Sequence, residues 1–447
     1  MLETFACARK ETLVACVLTG MLAATSAASS SPDDTVDRIA ALEMEVLRLR
    51  QQIGTDWLTE ARAQEIRTLV HDVLADADTR ASLLGTGMNA GWDEGFFIGS
   101  ADGNFRLRVG GNIQFRYVFN HQNGSPVDNN RGGFENTRTQ LIFTGHVVNP
   151  NWVYRVQGNF SRTNGTFNLE DAYIGYVFGN GWTFLAGQFR VPMLREFLVV
   201  EPHQQAVSRS LVHQEFTAGR TQGVALDYRG ERFHFTGGFT DGHPATGGFN
   251  APALMRDTEF SLTARLQGLL AGNWNQFADF ASWRGDEFGA LLGGAVHYQK
   301  GEYGTIHNEL EVLQWTVDLS LQFGGFNIFA YVVGRHLDAP GMSLDQFGAV
   351  VQGGLFITDD WEVFARYEWG DDDMTSPNLS VITVGANRFF ARHRIKWSTD
   401  VGFGLKRVAS TWGDGFIGSG GDLVGWRTDA PSKKGQVVVR TQLQLLF

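Results

Sequence analysis

Cysteine is almost missing from this 447-residue chain: there are two, Cys7 and Cys16, both in the first sixteen positions. A chain processed past them has no thiol chemistry, no disulfide and no cysteine metal site. Basic charge is in deficit, with 37 Lys and Arg against 48 Asp and Glu and a net charge of −11. That excludes a protein built to replace the counterions of a nucleic-acid backbone. Lysine is scarcer still, six against 31 arginines. No apolar run reaches the roughly eighteen residues of a membrane-crossing helix, which leaves a transmembrane β-barrel open, because its strands are short and alternate. Enzyme signatures are also missing: no Gly-x-Ser-x-Gly elbow, Walker A loop, His-Glu-x-x-His or dinucleotide fingerprint occurs. No cofactor is expected.

The N-terminus reads as a leader. Arg9 and Lys10 precede an apolar stretch from Leu13 to Ala24 and the small residues Thr25 to Ala28, the layout of a secretory signal peptide over residues 1–27. Charged residues ahead of Cys16 argue against a lipid attachment site there. Residues 28–95 follow as a helical, coiled-coil-like segment. Ile39, Leu42, Val46, Leu49 and Ile53 alternate spacings of three and four, and Ile66, Leu69, Val70, Val73 and Leu74 form a second apolar face. This segment carries thirteen acids and six bases, a net of −7. It is expected in the periplasm, either as a stalk with possible cell-wall contact through residues 35–84 or as a spacer.

From about Asn104 onward the period changes from 3.6 to 2. In Leu313–Phe323 the residues Leu313, Trp315, Val317, Leu319, Leu321 and Phe323 alternate with Gln314, Thr316, Asp318, Ser320 and Gln322. Sixteen such strands are predicted: 105–119, 137–148, 152–161, 171–178, 182–190, 220–229, 232–240, 258–268, 288–299, 312–323, 326–336, 346–357, 361–370, 379–390, 392–405 and 436–447. All ten prolines lie outside them. Tight connections alternate with long ones, and an aromatic follows most tight turns: Trp152, Trp182, Phe233, Phe326 and Trp361. The linker 269–287 breaks the rule by being long where a tight turn is due. The fold class is therefore all-β over residues 96–447, a closed antiparallel transmembrane β-barrel of about 16 strands in the outer membrane. The chain ends on Phe447 after alternating apolar residues, which resembles the signal read by barrel-assembly machinery.

Four stretches carry a family resemblance: Arg108–Phe115 (RVGGNIQF), Asn136–Leu141 (NTRTQL), Glu170–Tyr176 (EDAYIGY) and Gly187–Pro192 (GQFRVP). In order and spacing these are similar to the phosphate-selective porin O and P family, clearly over residues 104–240 and more weakly to the end. The resemblance implies a trimeric, sixteen-stranded channel for small anionic solutes such as phosphate. Met193-Leu194 stands where that family has Phe-Gly, and six lysines do not make a lysine-rich vestibule, so an anion-preferring porin is better supported than a phosphate-selective one.

If the apolar face of each strand meets lipid, the opposite face lines the lumen. That face is expected to carry Arg106, Arg108, Arg116, Arg138, Arg155, Arg366, Arg392, Arg394 and Arg440 as a ladder for oxyanions, since guanidinium stays protonated and offers a planar fork. Alternatively these are wall residues bridged to carboxylates. The connection 191–219 either folds inward, with Arg195, Glu196, Arg209 and Glu215 forming a constriction, or lies over the rim. His203 and His213 in that loop, and Asp371 to Asp373, are too sparsely supported to define a metal site. Competing functions are a non-selective porin with a tethering stalk and an outer-membrane barrel enzyme.

Overall fold

The computed structural model describes residues 40–45, 47–48, 64, 68 and 87–447, except 94, 125–128, 243–256, 303–308, 415–424 and 428–433. Contacts divide the chain into two units, Met1–Leu83 and Leu84–Phe447. In the first, residues 40–45 and 47–48 are helical and exposed, as are residues 64 and 68; the rest of the proposed heptad seam and the leader lie outside the described residues.

The second unit opens with a hairpin of β1 (Met88–Trp92) and β2 (Phe96–Ser100). Sixteen longer strands follow. They are β3 (Arg106–His121), β4 (Asn130–His146), β5 (Trp152–Phe160), β6 (Phe167–Gly179), β7 (Trp182–Arg190), β8 (Arg220–Arg229), β9 (Phe233–Thr240) and β10 (Asp257–Ala271). The second half comprises β11 (Gly289–Glu302), β12 (Glu309–Gln322), β13 (Phe326–Ala339), β14 (Met342–Phe356), β15 (Trp361–Asp371), β16 (Leu379–Phe389), β17 (Ile395–Gly404) and β18 (Val437–Leu446). Each pairs antiparallel with the next, and β18 returns to β3 from Val437↔His121 to Leu446↔Asn112, closing the sheet. Phe447 completes the seam by exchanging backbone hydrogen bonds with Gly111 at 2.9 and 3.0 Å. Closure leaves these sixteen strands with no unpaired edge, the condition for a sheet to cross a bilayer.

Alternation decides which face meets lipid. On β12, Leu313, Trp315 and Val317 are 44%, 41% and 48% exposed, whereas Gln314, Thr316 and Asp318 are at most 2% exposed. Trp152, Trp182, Phe233 and Phe326 point outward at the rim of tight turns. There is one parity error in the expected pattern. The 392–405 segment begins with a turn, Arg392 taking φ +48°, and the strand starts only at Ile395. His393 is therefore turned inward and buried, while Arg392 and Arg394 are exposed at the rim rather than on the lumen wall.

Candidate functional site

The connection between β7 and β8 is too apolar to lie in water. Val191, Met193, Leu194, Phe197, Val199, Leu211, Val212 and Phe216 are all buried. They drive the segment into the lumen, where it packs on Phe329, Tyr331 and Val333 of β13, Val350 of β14 and Val381 of β16. Two short helices, α1 (Arg195–Leu198) and α2 (Leu211–Phe216), shape it. The Ser210 hydroxyl caps α2 by accepting from the His213 N–H at 2.9 Å. The inward alternative for this loop is the observed one.

An irregular backbone inside a barrel must find partners for its N–H and C=O groups. The wall supplies them. The Val207 N–H donates to Asp400 Oδ2 at 2.9 Å and the Leu211 N–H to Glu368 Oε2 at 2.6 Å. Arg366 donates to the Ser208 carbonyl at 2.9 Å, Gln314 to that of Phe216 at 2.7 Å, and Lys396 Nζ to those of Pro202 and Gln204 at 3.0 and 2.8 Å. Glycine makes room at two close approaches: a Cβ on Gly348 would strike Val212, and one on Gly370 would strike Trp412.

A second segment enters from the opposite rim. It is the anomalous linker, residues 272–288, whose Phe277, Phe280, Ala281 and Ser282 are buried. Trp283 wedges it against Phe356 and Phe389 with ring centroids 5.1 and 4.8 Å apart. It meets the first loop directly: Arg195 donates to the Phe277 carbonyl at 2.7 Å, and the His203 and His393 rings lie 4.5 Å apart beside Asp279, which binds His393 at 2.9 Å. Trp412 and Trp426, from the connection between β17 and β18, add to the same apolar cluster.

These insertions seal one side of the lumen. The inward residues Thr263, His297, Gln314, Arg366 and Arg440 on β10–β18 are all buried. Accessible charges remain on the opposite wall, β4–β9, where the side chains of Arg155 and Asp227 are 24% and 27% exposed. Here the first loop faces the wall through an ionic network. Glu201 of the loop accepts from Arg209 at 2.8 Å and pairs with Arg190 at 3.2 Å. Arg220 pairs with Asp171 at 2.6 Å and Glu170 at 3.2 Å, and Arg155 with Asp171 at 3.2 Å. Glu170 is the extra residue of a β-bulge opposite Gln157 and Gly158, which aims its carboxylate at Gln140, Gln157 and Arg220. Burial alone would raise the Glu201 carboxyl, but Arg209, Arg190, Arg138 and Arg220 together hold it well below the usual carboxylate range. His213 is pushed down by burial and by the nearby Arg209, so it stays neutral.

The expected ladder is thus distributed over several environments. Arg138 reaches Gln114 at 3.3 Å and Arg155 sits in the network. Arg116 is buried, bound to Glu135 and to Ser208 Oγ. Arg366 pairs with Glu368 at 2.8 Å and Arg440 with Asp400 at 2.7 Å, both sealed behind the loop because loop carbonyls and wall carboxylates need donors there. Arg106 and Arg108 share Asp93 of the β1–β2 turn at 2.5 and 3.3 Å. Arg392 and Arg394 leave the wall altogether, lying over Trp283 and Trp92 at 5.0 and 5.4 Å. Of the loop residues, Arg195 donates to Ser320 at 2.9 Å, Glu196 binds Ser210 and Tyr331, and Glu215 binds Arg335. Arg190 and Arg220 were not among the expected ligands. The signal for them is their position as the strand-end arginines on either side of the inward loop.

A closed sixteen-stranded barrel with an apolar belt and a charged lumen narrowed by an inward loop defines an outer-membrane channel of the porin class. Residues 107–269 match the profile of the phosphate-selective porin O and P family, which bears out the resemblance read in the sequence. The fold is similar to that of the anion-selective porin from Comamonas acidovorans, at 13% identity and a TM-score of 0.55, over 76% of this chain and 99% of that one. It is also similar to in-vitro folded OmpT, an outer membrane protein of Vibrio cholerae, at 12% identity and a TM-score of 0.50, over 76% of this chain and 98% of that one. None of the curated proteins compared with this chain matches it.

Proposed function

We propose that the protein is an anion-preferring channel for small solutes such as phosphate or other oxyanions, and that the path runs along the β4–β8 wall. One observation carries this reading: at the narrowing, five guanidinium groups, Arg138, Arg155, Arg190, Arg209 and Arg220, surround three carboxylates, Glu170, Asp171 and Glu201. Excess positive charge at low local dielectric attracts anions and repels cations within a screening length of about 8 Å. A fully paired wall with no net preference is the competing reading. The name of the Comamonas porin agrees with anion preference. We place the N-terminal segment in the periplasm after removal of residues 1–27, and read the assembly as a homotrimer, to be checked by light scattering of the detergent-solubilised protein.

The functional test is the reversal potential in a KCl gradient across a planar bilayer. An anion-selective sign is expected, and Arg138→Glu should weaken it. A cation-selective or zero potential in the unmodified protein would refute the reading.

A further inference from the structure

The β1–β2 hairpin is too short to cross a bilayer, yet it repeats the alternation of the barrel. β2 pairs with the first residues of β3, Phe96 opposite Val109 and Ile98 opposite Leu107, and β1 continues the ladder with Trp92 opposite Phe96. Residues opposite one another in an antiparallel pair share a face. Val109 has the parity of Ile113, which is exposed on the lipid side of β3, so Phe96 and Trp92 point outward as well. The other face of the hairpin turns inward: Phe97 lies under the guanidinium of Arg106 at 4.4 Å, and Asp93 is engaged by Arg106 and Arg108.

The hairpin sits where β18 has stopped, since the last strand pairs with β3 only from Asn112 upward and Phe447 ends beside Gly111. Trp92, Phe96 and Phe447 are 57%, 47% and 42% exposed, as open as the lipid-facing residues of β12. Arg394 stands at the edge of this apolar patch. It belongs to the tight turn between β16 and β17, its carbonyl accepts from the Leu446 N–H at 2.7 Å, and its exposed guanidinium lies 5.4 Å over the ring of Trp92. A ring face holds a guanidinium in place without neutralising its charge. The level is that of the tight-turn aromatics, because Arg106 of β3 is opposite His146, at the end of β4 that turns toward Trp152. Headgroups meet acyl chains at that level.

We propose that Trp92, Phe96, Phe447 and Arg394 form a binding site for one anionic phospholipid of the inner leaflet, which the short turns of such a barrel face. The phosphate lies on Arg394 and the acyl chains run along the three aromatic side chains. Continuity of the patch with the lipid-facing side of β3 selects a lipid over a free anion, and the cation selects an anionic over a zwitterionic headgroup. Such a lipid fastens the hairpin to the seam where the first and last strands of the barrel meet. This site is separate from the constriction and independent of which solute the channel passes.

The test is native mass spectrometry of the refolded, full-length protein in detergent containing equal amounts of phosphatidylglycerol and phosphatidylcholine with the same acyl chains. Phosphatidylglycerol adducts should dominate by about fivefold or more, and Arg394→Gln should lower that ratio about fivefold, the effect of one basic residue at an anionic surface. Arg392→Asn removes the same charge from the same turn and tolerates its left-handed backbone, but Arg392 lies over Trp283 on the lumen side, so the ratio should stay as it was. Phe96→Ser should reduce retention of both lipids alike. In the unmodified protein the preference should shrink as salt is raised, a readout that needs no variant to fold. Equal binding of the two lipids, an unchanged ratio in Arg394→Gln, an equal fall in Arg392→Asn, a preference indifferent to salt, or displacement of phosphatidylglycerol by excess inorganic phosphate would overturn the proposal.

Discussion

Glu215 should make the docking of the inward loop depend on pH. Its carboxylate lies in α2, buried in the lumen against Arg335, which also donates to the Glu215 carbonyl at 2.8 Å. Burial pushes this carboxyl up to about 7; Arg335 pulls it down and Asp372 pushes it further up. The raised value belongs to the docked state, whereas an undocked, hydrated Glu215 titrates at the usual 4.5. The neutral form is therefore the one the docked loop favours. Docking is strongest below pH 4.5, and the advantage is lost as pH rises through 7. Converting the interval at about 1.4 kcal/mol per pH unit, undocking becomes about 3 kcal/mol easier at pH 8 than at pH 4. Hydrogen exchange of the amides of Leu211–Phe216 measures this directly, and bilayer current noise follows the same motion. Protection should fall as pH rises in the unmodified protein and stay high in Glu215→Gln, which mimics the neutral acid. Protection that grows with pH, or an identical pH profile in the variant, would refute the reasoning.

Three further outcomes are expected. Gly348→Leu places a side chain where Val212 now sits and should destabilise the docked loop by about 1–3 kcal/mol, read as faster exchange in α2 with the barrel still intact on semi-native gels. Replacing residues 272–288 by a two-residue turn removes Phe277, Phe280 and Trp283 from the lumen and should raise single-channel conductance; unchanged conductance would show that this segment does not border the path. Glu201→Gln leaves Arg190 and Arg209 without their shared carboxylate, which should cost about 3 kcal/mol in thermal stability and shift the reversal potential toward stronger anion preference.

Much of the barrel was legible residue by residue. Lipid on one side and polar lumen on the other imprint a strict period of two, so Leu313, Trp315 and Val317 announce their face without any tertiary information. The count of sixteen and most boundaries follow from that period and from the tight turns, as at Trp152, Trp182 and Trp361. The errors fall where the period is interrupted. One residue in a left-handed conformation, Arg392, is enough to reverse inside and outside for its neighbours, which put His393 in the lumen and Arg394 on the rim.

The sequence by itself determined that this chain alternates, closes and carries arginine on its inner face, because each of those properties is set by neighbours two residues apart or by composition. Which arginines face a solute was decided only by tertiary structure. Arg366 and Arg440 have the same parity and chemistry as Arg155, yet they are buried because a loop about 150 to 250 residues away in sequence lies over them, while Arg155 stays open to the path. The loop goes inward because apolar side chains seek each other across the lumen, and the strand-end arginines Arg190 and Arg220 acquire their role from where it comes to rest. Such contacts depend on the closure of the whole sheet, and no local pattern encodes them.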